Sequence, residues 1–175
     1  HDCRTRTVER PEDGSFPRII TLEFDGDCKD KNGNVRSGKI IITIYGPYKR
    51  EGSVREITFE DYFINGNQVE GLKTLTTNAR NEAGNLVFTV DFPDAKITRK
   101  DSVVIERTVN KTREWIMGED TPETNQDNEW LINGTVTRNN KNDVLITRVL
   151  NDIHRAVNCR WPLSGSVVID GSDDR

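Results

Sequence analysis

The aromatic side chains are the residues of this chain best suited to holding a ligand. Three Trp, three Tyr and six Phe occur in a sequence whose hydrophobic fraction is 33%. In a chain this poor in apolar residues, tryptophans can line a sheet face that stacks on sugars or other flat ligands. The candidate ligand-binding residues are Tyr45, Tyr62, Trp115, Trp130 and Trp161. Packing into a core is the competing interpretation of the same residues.

Catalytic arrangements are much harder to assemble from this sequence. His154 is the one histidine away from the terminus, and no nucleophile motif accompanies it, so a Ser-His-Asp or Cys-His arrangement is not predicted. A glycosidase needs two carboxyl groups roughly 5–10 Å apart. Glu106 and Glu114 could form such a pair, but solvated ion pairs are the default for scattered carboxylates. We expect no catalytic residues and no cofactor, with a glycan-active hydrolase using a carboxylate pair as the alternative.

One turn is rich in oxygen ligands and raises the question of calcium. Asp25, Asp27, Asp30 and Asn32 lie close together in the sequence. The spacing fails the calcium-loop pattern, because glycine is not at the sixth position after Asp30 and no glutamate follows at the twelfth. Asp and Asn also tolerate left-handed turn geometry, so the segment predicts a hairpin turn and no metal site.

The three cysteines, Cys3, Cys28 and Cys159, match no zinc spacing. Cys3 and Cys28 sit in polar surroundings that do not suit a buried thiol, which favours a disulfide and an oxidising compartment. Pairing of Cys3 with Cys28 would pin the first segment to the first strand. This pairing is the favoured one, and a bridge from Cys28 to Cys159, which would join the two ends of the meander, is the alternative that the sequence leaves open.

The elements that must position these residues are short strands. Runs with period-two alternation are separated by turn residues such as Asn65-Gly66, and no segment has a sustained helical period. The sequence predicts an all-β fold: a predominantly antiparallel meander of hairpins, either an open twisted sheet or sandwich-like, with little or no helix. The expected strands are 18–24, 39–45, 54–63, 69–77, 86–92, 96–98, 103–109, 112–117, 130–137, 144–150, 156–161 and 166–169.

The domain organisation follows from the length of 175 residues and the sparse apolar content. We expect an irregular N-terminal segment over 1–17 and one β domain over 18–175, which could consist of two related sheet halves meeting near 78–95. The last strand is followed by turn residues, so a partner strand is expected beyond it.

The charge pattern limits the choice of partners. The net charge is −4, and Lys and Arg alternate with Asp and Glu along the chain instead of clustering into a basic stripe. A nucleic-acid partner is therefore not expected. No apolar run approaches the ~18–20 residues of a membrane helix, so this chain is not expected to cross a membrane as a helix.

Several blocks of sequence together resemble a family. These are ITLEF (20–24), RSGKIIIT (36–43), ITFEDYFINGNQVEG (57–71), REWI (113–116), CRW (159–161) and SG (164–165). In this order and spacing they resemble exported lipoproteins of unknown function from Bacteroidetes. The resemblance implies a signal peptide with a lipobox before this sequence, so membrane contact is expected only through a lipid anchor outside this chain. It also implies a closing hairpin with another cysteine after it. It implies a compartment, the periplasm or cell surface, but assigns no chemistry to particular residues.

The residues and the resemblance together predict a domain of the cell envelope or cell surface. Its role is expected to be binding or structural rather than catalytic. The partner would be a glycan, an envelope protein or an apolar ligand, and the sequence does not choose among them.

Overall fold

The computed structural model describes residues 4–30, 33–121, 123–139 and 144–171, without the side chains of 27 and 28. These residues form strands and turns and contain no helix, which confirms the predicted all-β class. None of them therefore forms a helix able to cross a membrane. The strands are β1 (Arg4–Glu9), β2 (Arg18–Lys29), β3 (Val35–Ile44), β4 (Val54–Ile64), β5 (Asn67–Glu70), β6 (Lys73–Thr77), β7 (Val87–Thr98), β8 (Val104–Met117), β9 (Glu129–Asn139), β10 (Leu145–Ala156) and β11 (Ser164–Asp170).

All the strands belong to one 11-stranded antiparallel sheet that follows chain order. The predicted meander is thereby confirmed, and β1 and β11 lie at its two ends. Strands β5 and β6 form one interrupted row, since each pairs with β4 on one side and β7 on the other. Residues 78–86 link β6 to β7, and these two strands pair directly, so the sheet is continuous where two halves were expected to meet.

The strands are longer than the alternating runs that predicted them. Residues 86–98 were expected to form two strands around a turn at Pro93-Asp94, but β7 runs through this point with a shift in register. Strand β8 likewise covers 104–117 without interruption. Strand β1 lies inside the segment 1–17 that was expected to be irregular. Residues 157–161, in contrast, lie outside any strand, because β10 ends at Ala156.

The pairing register separates the charges of the sheet onto opposite faces. Residues that lie directly opposite each other in neighbouring strands share a face, so the register can be followed from β1 to β11. We call one side the basic face, because no paired position on it in the described strands carries Asp or Glu. Its cations are Arg4, Arg6, Arg18, Arg36, Arg55, Lys73, Arg107, Lys111, Arg113, Arg138, Arg148 and Arg155.

The opposite side, which we call the threonine face, carries most of the threonines and the acidic residues of the sheet. Its acidic members include Glu23, Glu56, Glu60, Glu70, Asp91, Glu106 and Glu114. The expectation that no basic stripe forms is therefore wrong. Alternation of charge along a strand has the same period as the alternation of faces, so charges interleaved in the sequence separate in space.

The apolar residues also lie mainly on the basic face, but they build a thin core. Phe88, Val90, Val109, Val136 and Ile146 are all buried there. Every position of β3, by contrast, is only partly buried. The accessible surface is 11133 Å², compared with about 8,700 Å² expected for a compact monomer of this mass. An open sheet with partial cover on one side accounts for this excess.

Candidate functional site

The best-packed part of the basic face is a cluster of four aromatic rings. Phe88 on β7, Trp115 on β8 and Trp130 on β9 lie side by side, and Tyr48 from the loop after β3 covers them. Tyr48 stacks on Phe88 with ring centroids 4.8 Å apart, and Trp115 stacks on Trp130 at 5.0 Å. Thr77 anchors the loop by donating its hydroxyl to the Tyr48 carbonyl oxygen at 2.7 Å.

Sequence reasoning found two of these four rings. Trp115 and Trp130 were predicted as binding residues, whereas Tyr48 and Phe88 were not. Phe88 alternates with Val90 and Phe92 along β7, which is a signal for a shared face. The position of Tyr48 depends on the fold of a loop, and no local pattern indicates it.

A second aromatic group surrounds Tyr62, another predicted residue. Tyr62 is 4% exposed and contacts Phe24 and Phe59, while Phe59 also stacks on Phe92. Its hydroxyl accepts a hydrogen bond from Arg36 Nη1 at 2.6 Å. Tyr62 therefore lies on the basic face, but it is packed into the sheet and separate from the tryptophans.

The remaining predicted residues do not join either aromatic group. Tyr45 lies beside Glu56 on the threonine face and donates its hydroxyl to that carboxylate at 2.7 Å. Trp161 lies in the turn after β10, is 68% exposed, and contacts the Arg160 guanidinium. The predicted aromatic face of five residues is thus divided among four places.

Four cations cluster on the central strands of the basic face. They are Lys73 on β6 together with Arg107, Lys111 and Arg113 on β8. Burial lowers the pKa of Lys73, and the nearby Arg113 and Arg107 lower it further. Burial likewise lowers the pKa of Lys111, with additional repulsion from Arg107 and Lys73. The charged forms of these lysines are therefore held in an unfavourable environment.

No ion pair relieves this cluster within the described part of the chain. Arg107 Nε and Arg113 Nε are both buried without a hydrogen-bond partner. A buried donor left unpaired costs about 1–3 kcal/mol, and more when it is charged. The Arg113 guanidinium gains some compensation from the ring of Trp130, 4.1 Å from its centroid. Arg107 gains no such ring contact, but its side chain is partly exposed, so its terminal nitrogens can reach an acceptor outside the sheet.

The acidic side chains, on the opposite face, have partners of their own. Glu114 accepts hydrogen bonds from Asn81 and Asn85 at 2.7 and 2.8 Å, and Glu70 pairs with Lys96 at 3.3 Å. Glu106 and Glu114 lie eight residues apart on one strand, so about 26 Å separates their backbones. That separation is too large for the carboxyl pair of a glycosidase.

His154 lies on β10 and contacts one carboxylate. Its Nε2 is 2.7 Å from Glu129 Oε2, and both side chains are about a quarter exposed. Their backbones are on neighbouring strands, and the pair ties β9 to β10 on the threonine face. This arrangement is an interstrand link, with no nucleophile among its recorded hydrogen-bond partners.

The calcium and disulfide candidates lie largely outside the described residues. Asn32, Cys3 and the side chains of Asp27 and Cys28 are not described. Asp30 instead accepts a hydrogen bond from Arg36 Nε at 2.9 Å and others from Asn34. Among the described residues no group of His, Cys, Asp and Glu is arranged to hold a metal. Cys159 is a free, partly buried thiol.

A shallow depression of about 450 Å³ lies at the bulge of β7, mainly on the threonine face. It contains no aromatic residue, so it is distinct from the aromatic cluster. Its lining includes Asp94, Lys96 and Glu106.

The geometry therefore offers one unusual surface, the basic face, and no known protein indicates what this surface binds. Comparison of this chain with protein-family models, with curated proteins and with solved structures found no match.

Proposed function

We propose that this chain is a non-catalytic binding domain of the cell envelope, and that its ligand lies on the basic face of the sheet. The envelope part of the proposal rests on the resemblance to exported lipoproteins and on the polar surroundings of Cys3 and Cys28. A lipid anchor outside this sequence would place the domain in the periplasm or at the cell surface.

One observation carries the binding part of the proposal. Cations occupy the basic face from β1 to β10, and no carboxylate shares its paired positions in the described strands. Folding alone gives no reason for this separation, because opposite charges placed side by side would stabilise the sheet. Within this face, Lys73, Arg107, Lys111 and Arg113 form no ion pair in the described part of the chain. Such a cluster is suited to an acidic ligand, which supplies the missing countercharge.

Lysine footprinting with a mild acylating reagent tests this proposal directly. The protein is labelled alone and in the presence of an extract of the bacterial envelope, and the modified lysines are mapped by mass spectrometry. We expect the extract to protect Lys73 and Lys111, which lie on the basic face. Lys39 and Lys96 on the threonine face serve as internal controls. Equal protection of all four lysines, or none at all, would contradict the proposal.

The alternative function is a glycan hydrolase, and one observation supports it. Asp94 and Glu106 both line the 450 Å³ depression, so two carboxylates border one cavity. The binding proposal expects the purified domain to hydrolyse neither envelope glycans nor simple aryl glycosides. Turnover that is lost in the double variant Asp94→Asn, Glu106→Gln would favour the hydrolase instead.

A further inference from the structure

The basic face combines two chemically different surfaces that adjoin each other. Strands β6 to β8 contribute the cluster of Lys73, Arg107, Lys111 and Arg113. Strands β2 to β4 contribute an aliphatic strip of branched side chains that remain partly exposed. Its members are Ile20, Leu22, Ile40, Ile42, Ile44 and Ile57.

Their arrangement places the two surfaces end to end. Ile57 and Lys73 lie directly opposite each other, so the aliphatic strip adjoins the cluster of four cations. Arg18 and Arg55 lie at one end of the strip. From β6 to β2 the sheet extends about 14 Å, at roughly 4.8 Å per strand. The side chains of Lys73, Arg107 and Lys111 are long enough to converge on one acidic group above β7. A molecule with an acidic end and an apolar body matches this layout.

We propose that the basic face binds an anionic lipid-like amphiphile, with its acidic head on Lys73, Arg107 and Lys111 and its hydrocarbon chain along the aliphatic strip of β2 to β4. This inference rests on the proposed function and names the class of ligand. Head-group oxygens would accept hydrogen bonds from the terminal nitrogens of Lys73, Arg107 and Lys111, whose side chains are partly exposed. The chain would cover side chains that the single sheet leaves half-buried.

A polyanion without an apolar part fits this surface less well. Single-stranded nucleic acids bind through aromatic rings that are free to stack on bases. Here Trp130 is 7% exposed, and Tyr48 and Trp115 are stacked against other rings and cations. Aliphatic side chains offer no stacking surface, and the net charge of −4 repels a long polyanion.

The test uses three matched probes below the micellar concentration: oleoyl lysophosphatidic acid, oleoyl lysophosphatidylcholine and glycerol 3-phosphate. Binding is followed by tryptophan fluorescence and by calorimetry, with circular dichroism confirming that the sheet persists. We expect the anionic lipid to bind about tenfold or more tightly than either the zwitterionic lipid, which shares its chain, or glycerol 3-phosphate, which shares its head. Equal binding of all three probes would overturn the proposal.

Two variants locate the site. The change Arg107→Gln with Lys111→Gln should weaken binding of the anionic lipid about tenfold or more, since two charge-assisted contacts are lost. The change Ile42→Ser should weaken the lipid but not glycerol 3-phosphate. Lys39→Gln with Lys96→Gln, on the threonine face, is the control and should leave binding unchanged. Binding that is unaffected by every basic-face change would contradict the proposed site.

Failure of this inference can be told apart from failure of the proposed function. If an oligonucleotide or glycerol 3-phosphate binds as tightly as the anionic lipid, and Arg107→Gln with Lys111→Gln abolishes it, the basic face is a binding site but its ligand is not an amphiphile. If no probe binds and the envelope extract fails to protect Lys73 and Lys111, both proposals fall together.

Discussion

The separation of charges between the two faces leaves the Lys73 ammonium in an unfavourable environment. The ammonium is half-buried on β6 with Arg107 and Arg113 as its charged neighbours, and its pKa is lowered first by burial and then by those cations. No carboxylate on the described strands faces it. Its charge therefore opposes folding, which makes this side chain a sensitive probe of the basic face.

We expect Lys73→Met to stabilise the fold, because the change removes a repelled charge and keeps the apolar stem. The free energy of unfolding should rise by about 0.5–2 kcal/mol, the usual range for relief of unfavourable surface charge. Urea denaturation at neutral pH measures it. Lys96→Met is the matched control, because Lys96 pairs with Glu70 on the threonine face and its loss should bring no gain. A destabilised Lys73→Met would show that the ammonium has a favourable partner.

Three loops meet at Glu119, at the edge of the aromatic cluster. Arg80 Nη2 donates to Glu119 at 2.6 Å, and Lys49 lies 3.5 Å from the same carboxylate oxygen. The hydrogen bond from Arg80 is the main cause of the lowered pKa of Glu119. Since Lys49 is next to Tyr48 in the sequence, this contact helps to hold the loop that covers Phe88 and the tryptophans.

The stabilisation from Glu119 should depend on pH in a defined direction. A carboxyl group whose pKa is lower in the folded state stabilises fully above its unfolded pKa of about 4.3. The contribution is lost as the pH falls through the lowered, folded value. Wild type should therefore be more stable than Glu119→Gln near neutral pH, and the two should converge in acid. Parallel stability curves over the whole range would contradict this assignment.

Gly71 is the residue that lets β5 and β6 share one row of the sheet. Its φ is 117°, and a Cβ atom there would lie 2.5 Å from the Asp94 carbonyl oxygen and 2.7 Å from the Phe92 ring. The backbone of the β7 bulge therefore approaches so closely that a side chain does not fit. The break between β5 and β6 therefore lies beside the bulge of β7, and the two irregularities pack against each other.

We expect Gly71→Ala to lower the free energy of unfolding by about 1–3 kcal/mol from backbone strain, with a further loss from the clash. Gly84→Ala is the matched control. Gly84 also has a positive φ, of 81°, but open space surrounds its Cβ position, so its cost should be limited to about 1–2 kcal/mol. Thermal or urea unfolding of the two variants separates strain from steric clash, and equal losses would rule out the proposed contact.

The sequence predicted most of the strands, but it did not predict which face of the sheet each side chain occupies. Alternation along 39–45 predicts one face for Ile40, Ile42 and Ile44, and the register confirms it because that stretch contains no bulge. An extra residue reverses the alternation beyond it, and single extra residues occur in β4, β7, β8 and β10. The faces of Tyr62 and Ile153 could therefore not be read from parity. The basic face became visible only when the register was followed across every strand.

At the scale of the whole molecule, contacts between strands are made only by strands that are adjacent in the sheet. Every pair of described strands that come close to each other is hydrogen-bonded, and no second layer packs across the sheet. The buried residues concentrate on β7 to β10, whereas every position of β1 and β11 is exposed. Stability should therefore vary along the sheet in the manner of a repeat protein.

Amide hydrogen exchange measures this gradient. We expect the slowest exchange in β7, β8 and β9, and the fastest in β1 and β11, whose opening disturbs few buried contacts. Intermediate protection is expected for β2 to β4. Uniform protection across all the strands would show instead that the sheet unfolds as a single unit.

The separation of charges also gives the molecule an electrical polarity perpendicular to the sheet. The basic face of one copy can therefore pack on the threonine face of the next. This head-to-tail contact does not close into a ring, so repeated contacts extend into columns. Charges are screened beyond about 30 Å at 0.01 M salt but beyond about 8 Å at 0.15 M. Sedimentation should therefore detect columns that lengthen on desalting and dissolve at physiological ionic strength, and an acidic ligand on the basic face should cap their growth.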